Sequence, residues 1–299
     1  MTTENIRVDA FQANVRHLAQ QEMSRLLPYC DKDSQGAETN QWDYLSSGDM
    51  SAKSDDTAST GNETGRTWSR RQAVATPFND HELIDTHEIN QVLVDPKSKI
   101  NQSLGMSAAR RYDDLLIAAA TGTVNVQTRS GGDITQTATA LPAGRIIGTG
   151  AEAMSFDLVA QTQRLFMQSD IDPSVPKVAV VGPQQVYEML NLTEQTSGDY
   201  VNRQALQTLN ATGIVPNWMG YTWIMSTRLT IPTTGERYCL FFCDQDALGL
   251  HVSEDITGYC QQDPSRQYAW RPYIELTAGA ARLEDSRIAV LHLADATAP

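Results

Sequence analysis

The sequence has few cysteines, few aromatic residues and little positive charge for its length. Its 299 residues include 4 cysteines, and the aromatic residues make up 7%. The cysteines are too few and too scattered for a disulfide framework, so reduced thiols are expected. With 23 Lys and Arg against 36 Asp and Glu, the formal net charge is −13. This argues against tight nonspecific nucleic-acid binding, which needs clustered Lys and Arg.

Long apolar runs are also missing. No run of about 18 apolar residues occurs, so we expect no membrane-spanning helix. The N-terminal residues contain early acids and no apolar segment typical of a secretory signal, so we expect synthesis in the cytoplasm without export. The hydrophobic fraction of 40% supports a packed core.

Enzyme motifs are scarce as well. The sequence contains no GxSxG, Walker-type loop, CxxC or EF-hand pattern. The stretch GTGAEA, from Gly148 to Ala153, matches a short dinucleotide-binding pattern, but only the apolar run RII precedes it. We interpret it as a glycine turn before a helix and keep a nucleotide-binding enzyme that uses Gly148 and Gly150 as an alternative.

Two groups of residues resemble metal ligands only superficially. His81 and His87 are six residues apart, whereas zinc proteases need two histidines four apart on one helical face. Cys239 and Cys243 lie in the apolar run CLFFC, which is typical of a buried strand, and no His or second cysteine pair completes a zinc site. We therefore expect no metal and no cofactor.

The first hundred residues look extended rather than compact. Residues 4–27 have amphipathic helical spacing, and the flanks TNQWDYL and RTWSRRQAV then surround the polar stretch Ser46–Gly65. Such flanks, which contain Trp42 and Trp68, predict a two-stranded arm that needs a surface to lie on. The basic cluster after the polar stretch is either a solvated face or a contact for a neighbour's carboxylates; it comprises Arg66, Arg70 and Arg71.

A long amphipathic helix is predicted between Asp95 and Gly122. Ser98 can cap its start, and Gly122 stands where a left-handed glycine often ends a helix. Arg110 and Asp114 are spaced as an i,i+4 ion pair. The apolar face is expected to contain Ile100, Leu104, Ala108, Leu115 and Ala119. After residue 123, strands and helices follow without regular alternation, so the fold class is α+β.

The order of these parts resembles the major capsid protein of tailed bacteriophages, the HK97-like fold. The stretch from RTWSRRQAV to LLIAAATG is similar to that family's passage from a returning loop strand into its spine helix. PKVAVVGPQQVYEML, GIVPNWMGYTWIMSTRLT and ELTAGAARLEDSRIAVLHL resemble later parts in the same order. The resemblance covers nearly the whole chain.

The resemblance implies an architecture and a non-enzymatic function. It implies an N-terminal arm (1–32), an extended β-hairpin extension loop (33–78), a peripheral domain with the spine helix (79–125), an axial domain (126–265) and a return strand of the peripheral domain (266–299). Subunits would self-assemble into hexamers and pentamers of an icosahedral virion shell around double-stranded DNA, without sequence-specific DNA binding. An encapsulin-like compartment on the same fold is the alternative.

The resemblance also implies partners and contact residues. Because Met1 directly precedes the arm, a separate scaffolding protein is expected, together with a portal, a possible decoration protein and assembly in the host cytoplasm. Lys53 is the only lysine of the loop, and no covalent cross-link is expected. The predicted intersubunit residues are Trp42, Lys53, Arg66, Trp68, Arg70, Arg71, Arg110 and Asp114.

Overall fold

The computed structural model describes residues 21–46, 66–84, 96–130, 133–191, 208 and 211–295. These contain the helices α1 (Pro96–Thr121), α2 (Phe156–Gln168) and α3 (Pro183–Leu190). None of the helices in these ranges is both long and apolar enough to cross a membrane. The predicted helix within residues 4–27, Lys53 and His87 lie wholly or mostly outside the described residues.

The strands form three sheets, and the element order confirms the α+β class. Their bounds are β1 (Cys30–Ser34), β2 (Thr39–Leu45), β3 (Trp68–Val74), β4 (Thr76–His81), β5 (Val124–Ser130), β6 (Asp133–Thr139), β7 (Ile146–Ile147), β8 (Lys177–Val181), β9 (Ile214–Trp218), β10 (Tyr221–Met225), β11 (Glu236–Cys243), β12 (Gln245–Asp263), β13 (Ala269–Arg282) and β14 (Ile288–Ala294). The sheet orders are β1-β12-β13-β4, β7-β14-β11-β8-β10-β9 and β2-β3-β5-β6.

The six-stranded sheet forms most of the core. Strand β8 pairs parallel with β10 and antiparallel with β11, which in turn pairs with β14. The apolar runs VAVV and CLFFC are fully buried, as expected for strands covered on both faces. Phe241 contacts the rings of Tyr221 and Trp223 edge-on, at centroid distances of 5.2 and 5.9 Å, a favoured aromatic geometry.

Two helices pack beside this sheet, and local sequence explains where each begins. The Ser155 hydroxyl caps α2 by accepting a hydrogen bond from the amide of Leu158. Pro183 occupies the first turn of α3, where no amide donor is needed. The buried side of α2 includes Val159 and Phe166.

The long strands β12 and β13 are the central pair of a second, four-stranded sheet, and α1 packs against them. With 26 residues, α1 is about 39 Å long. Its buried residues include Leu104, Ala108, Tyr112, Leu116 and Ala120, which are spaced four apart. The predicted Leu104 and Ala108 are confirmed, whereas the predicted Leu115 and Ala119 are only half-buried.

Two predictions about the ends of α1 were wrong. The helix begins at Pro96, so Ser98 lies inside its first turn. Gly122 does not adopt the left-handed conformation. The position favours glycine for a steric reason instead, since a Cβ at residue 122 would lie 2.7 Å from the Ala118 carbonyl oxygen.

The predicted two-stranded arm is confirmed in its described part. Strands β2 and β3 pair antiparallel from Thr39–Val74 to Leu45–Trp68. On its other side β3 pairs with β5, and β5 pairs with β6 in an uninterrupted register. The hairpin after α1 therefore widens the arm into a four-stranded sheet, which we call the arm sheet (β2, β3, β5 and β6).

Candidate assembly surface

The arm sheet has two chemically different faces because side chains alternate along each strand. Trp42, Arg71, Ala73 and Val124 face the body of the subunit and are buried or half-buried. The other face carries more exposed side chains from the same strands. The two faces therefore have separate roles, one inside the subunit and one toward its surroundings.

The inner face is held by a joint of three charged residues: Arg71, Arg282 and Asp285. Both terminal nitrogens of Arg71 donate to the Asp285 carboxylate at 2.8 Å, and one also donates to the Arg282 carbonyl at 3.1 Å. The Arg282 Nε donates to the same carboxylate. Arg282 is fully buried, so Asp285 compensates a charge that water does not reach.

The same joint closes the end of α1. The Arg282 Nη1 donates to the Gly122 carbonyl at 2.7 Å, and its Nη2 donates to the Thr139 carbonyl at 3.1 Å. A cation beside the last carbonyls of a helix also complements the helix dipole. The arm sheet, the long helix and the end of β13 are thus fixed to one another by one arginine.

Asp285 stays ionised in this arrangement. Burial on its own would raise the pKa of Asp285, but the hydrogen bonds and charges of Arg71 and Arg282 outweigh it. The pKa consequently lies below its usual value. At neutral pH the joint therefore contains one carboxylate between two guanidinium groups.

Trp42 belongs to the inner face. Its indole Nε1 donates to the Asp31 carboxylate at 3.0 Å, and its ring packs with Ala73 and Val124. A Cβ built on Gly249 would lie 2.8 Å from the indole, so only glycine leaves this room on β12. Trp42 thus already has a packing site within its own subunit.

The outer face holds Trp68 and an exposed ion pair. Arg70 donates to both oxygens of Asp43 and to the Gln41 side chain at 2.8 Å. Hydrogen bonding from Arg70 lowers the pKa of Asp43. Trp68 is 60% exposed, and Arg66, two residues before the strand, is exposed as well. Arg70 and Arg71, adjacent in sequence, thus lie on opposite faces.

Arg110 and Asp114 do not lie on the arm sheet. Asp114 accepts hydrogen bonds from Arg228 at 2.7 and 2.5 Å, and Arg110 donates to the Gln21 carbonyl at 3.2 Å. The structure thus gives these residues partners other than the predicted i,i+4 pair. Both partners join α1 to other parts of the same subunit.

Sequence reasoning missed the residue that anchors the N-terminal segment. Asp113 is buried on α1 and accepts hydrogen bonds from the Ser24 hydroxyl at 2.5 Å and from the amides of Arg25 and Leu26 at 3.1 Å. The Gln21 side chain donates to it too. Asp113 lies about half a turn away from the predicted apolar face of α1, so helical spacing gave no signal for its burial.

The GTGAEA turn does not fit a dinucleotide site. Gly148 and Gly150 have φ values of 91° and 85° and lie against β14. A Cβ on Gly148 would be 2.4 Å from the His292 carbonyl oxygen, and one on Gly150 would be 2.7 Å from the Glu236 and His292 side chains. Helix α2 begins only at Phe156. The glycines serve close packing of the chain on itself, which supports the glycine-turn interpretation.

We expect Gly150→Val to destabilise the subunit by about 3 kcal/mol through strain and overpacking, rather than to abolish nucleotide binding. Gly36→Val is the matched control, because Gly36 has open space and no left-handed φ. Urea unfolding of unassembled subunits compares the two midpoints. An unchanged midpoint for Gly150→Val would contradict the packing role.

A comparison with family models identifies the chain. A model described as phage capsid protein matches residues 3–293. The chain belongs to the phage capsid protein family. No curated protein sequence matches it significantly.

Solved capsid structures share the fold. The capsid of cyanophage P-SCSP1u is 16% identical, with a TM-score of 0.70, covering 97% of this chain and 94% of that chain. The cyanophage Pam1 capsid is 12% identical, with a TM-score of 0.68 and coverage of 99% and 100%. The mature capsid of bacteriophage PhiM1 is 12% identical, with a TM-score of 0.66 and coverage of 96% and 92%. The HK97-like fold is confirmed.

As a phage capsid protein, the chain is a structural component of the virion shell and assembles with copies of itself. The family match favours this role over the encapsulin-like compartment. The buried thiols fit a structural role, since burial raises the pKa of Cys30 and Cys239 to about 12 and that of Cys243 to about 11. Across the described ranges, no group of three or more potential metal ligands occurs.

Proposed function

We propose that this capsid protein forms the hexamers and pentamers of an icosahedral shell that encloses the double-stranded DNA of a tailed phage. One observation carries the proposal: the arm sheet is fastened to its own subunit by one face, through Arg71 and Asp285, while the other face exposes Trp68. A sheet that is anchored by one face and exposes an aromatic side chain on the other is suited to contact a neighbour.

The charge of the chain supports enclosure of DNA without binding to its sequence. A net charge of −13 gives the shell little affinity for phosphates, so a packaged genome does not adhere to the wall. Assembly takes place in the host cytoplasm. A separate scaffolding protein, a portal and a decoration protein complete the proposed set of partners.

The sheets suggest how the proposed domain ranges apply. The six-stranded sheet with α2 and α3 supports an axial domain within 126–265, and the sheet beside α1 supports the peripheral domain. Strand β12 lies within 126–265 but pairs with β13, and β14 lies within 266–299 but pairs with β11. We therefore assign β12 to the peripheral domain and β14 to the axial domain. Residues 1–32 remain the proposed arm and 33–78 the proposed extension loop.

The intersubunit residues divide into two groups. Trp68, Arg66 and Arg70 are exposed on the arm, and they stay proposed contacts together with Lys53. The remaining proposed residues have partners inside the subunit, so their effect on assembly is indirect; they are Trp42, Arg71, Arg110 and Asp114.

The two tryptophans give opposite expected results. Trp68→Ala should reduce the yield of shells and leave the urea midpoint of unassembled subunits unchanged, because the indole is mostly exposed. Trp42→Ala should destabilise the subunit itself by about 3 kcal/mol, because it removes a packed indole and its hydrogen bond. Equal effects of both variants on the midpoint would contradict the assignment of faces.

Sedimentation and electron microscopy test the function as a whole. The full chain is expressed with its neighbouring genes, fractionated on a gradient and examined by negative stain. Closed shells or rings of five and six subunits are the expected result. A uniform small oligomer in every fraction would contradict the proposal.

A further inference from the structure

Strand β6 is an open edge of the arm sheet. Its residues from Asp133 to Ala138 are all exposed, and among the described strands only β5 pairs with it. The strand contains no lysine and no proline, and its pairing with β5 has no bulge. Lysine, proline and bulges are the usual features that keep an edge strand from pairing with another chain. Because β6 lacks all three, its edge is unprotected in the isolated subunit.

A row of three apolar residues and Arg129 leads across the outer face to this edge. Leu45 pairs directly with Trp68, and the register places Ile134 on the same face and at the same end of the sheet. Trp68 and Ile134 line a shallow groove of about 310 Å³. The exposed fractions are 44% for Leu45, 60% for Trp68 and 69% for Ile134. With Val74, this face holds four of the twelve large exposed apolar residues found in the described ranges, so the apolar surface is concentrated here.

The polar residues of the outer face favour a protein partner over DNA. Arg70 is neutralised by Asp43, and the row beside it consists of glutamines, with the Gln136 amide donating to Gln72 at 3.3 Å. A face that carries aromatic and aliphatic residues beside a closed ion pair resembles the core of a protein interface. Phosphate binding would need unpaired cations arranged along the face.

The partner must be as abundant as this chain and acidic. Every copy exposes the same face, so a partner present in a few copies per shell would leave most faces uncovered. Arg71 is already paired with Asp285 inside the subunit, so the four strands and the adjoining Arg66 offer three arginines (66, 70 and 129) against two aspartates (43 and 133), a net charge of +1. Since the whole chain carries −13 and the Arg71–Asp285 pair adds no net charge, the remainder carries −14. A second copy therefore offers both the stoichiometry and the complementary charge.

We propose that the edge and outer face of β6, with Ile134 at its centre, dock onto a second copy of this chain. The proposal rests on the proposed function and adds the hairpin β5–β6 to the contact surface of the arm. Because the arm sheet of one copy meets a different, acidic surface of the next, the contact is heterologous, which is the type that closes into rings.

Photocrosslinking at position 134 tests the proposal. Ile134 is replaced by p-benzoylphenylalanine in the full chain, and assembled particles are irradiated before and after dissociation. The expected product migrates at twice the subunit mass of 32.9 kDa, contains peptides of this chain alone, and forms only in assembled particles. Particles that form normally but give no such product, or a product that contains another protein, would overturn the docking site while leaving the shell function intact.

A pair of substitutions keeps the test decisive if the photoreactive residue blocks assembly. Ile134→Lys should weaken each contact about tenfold by placing a charge where an apolar side chain is buried, whereas Ile134→Val should assemble normally. Neither variant should shift the urea midpoint of unassembled subunits, since the side chain is mostly exposed there. Normal shell yield for Ile134→Lys would overturn the proposal.

Discussion

Replacing Asp285 with alanine is expected to lower the free energy of unfolding of the unassembled subunit by about 3 kcal/mol. The carboxylate accepts hydrogen bonds from Arg71 and from the fully buried Arg282. Without it, the Arg282 guanidinium remains buried beside the end of α1 with no compensating charge. The arm sheet also loses its charged attachment to the body, so shell yield should fall together with stability.

Asp43→Ala is the matched control for this prediction. Asp43 also pairs with an arginine of β3, but Arg70 and Asp43 are both about half exposed, so water replaces the lost contact. Urea denaturation followed by tryptophan fluorescence measures both variants. Equal losses of stability in the two variants would show that Asp285 has no special role at the joint.

The joint of Arg71, Arg282 and Asp285 also predicts how the free energy of unfolding changes at acidic pH. The pKa of Asp285 is lower in the folded chain than its ordinary value of 3.8. A depressed pKa stabilises the fold above the unfolded pKa, and this stabilisation is lost as pH falls through the folded pKa. The difference in unfolding free energy between the native chain and Asp285→Ala should therefore be constant from neutral pH to about pH 4 and shrink below it. A difference that disappears already near pH 6 would point to another group.

Local patterns predicted the parts of the fold that depend on nearby residues. The paired flanks around Trp42 and Trp68 predicted an antiparallel arm, and apolar spacing predicted the long helix and the buried strand CLFFC. Each of these is confirmed because the signal lies within one element or one hairpin. The order of these parts then supplied the resemblance to capsid proteins.

Long-range pairing decided the features that the sequence alone left open. Arg70 and Arg71 look equivalent in sequence, yet Arg71 contacts Asp285, a residue 214 positions away, and Arg70 contacts its hairpin partner. The hairpin β5–β6 was expected in the axial domain, but it pairs with β3 of the arm. No periodicity within a strand indicates which distant strand will lie beside it.

Asp113 and Asp114, adjacent on α1, also look equivalent in sequence although their contacts differ. Replacing Asp113 provides the second large expected effect. Asp113→Ala should destabilise the subunit by about 3 kcal/mol, because the amides of Arg25 and Leu26 and the Ser24 hydroxyl lose their acceptor in a buried place. Leu26 is itself buried, so these donors have little access to water. The segment from Gln21 to Leu26 would then detach from the helix before the rest of the subunit unfolds.

Trypsin distinguishes this local release from general instability, since it cleaves after Arg25. Cleavage there should accelerate in Asp113→Ala under native conditions, while sites in the six-stranded sheet stay protected. Asp114→Ala is the matched control one residue away: its carboxylate binds Arg228 at a surface that is about one-third exposed, and its loss should cost about 1 kcal/mol or less. Equal cleavage rates in the two variants would contradict the anchoring role of Asp113. Faster cleavage in Asp113→Ala alone would mean that a single buried carboxylate on the long helix holds residues 21–26 against the subunit.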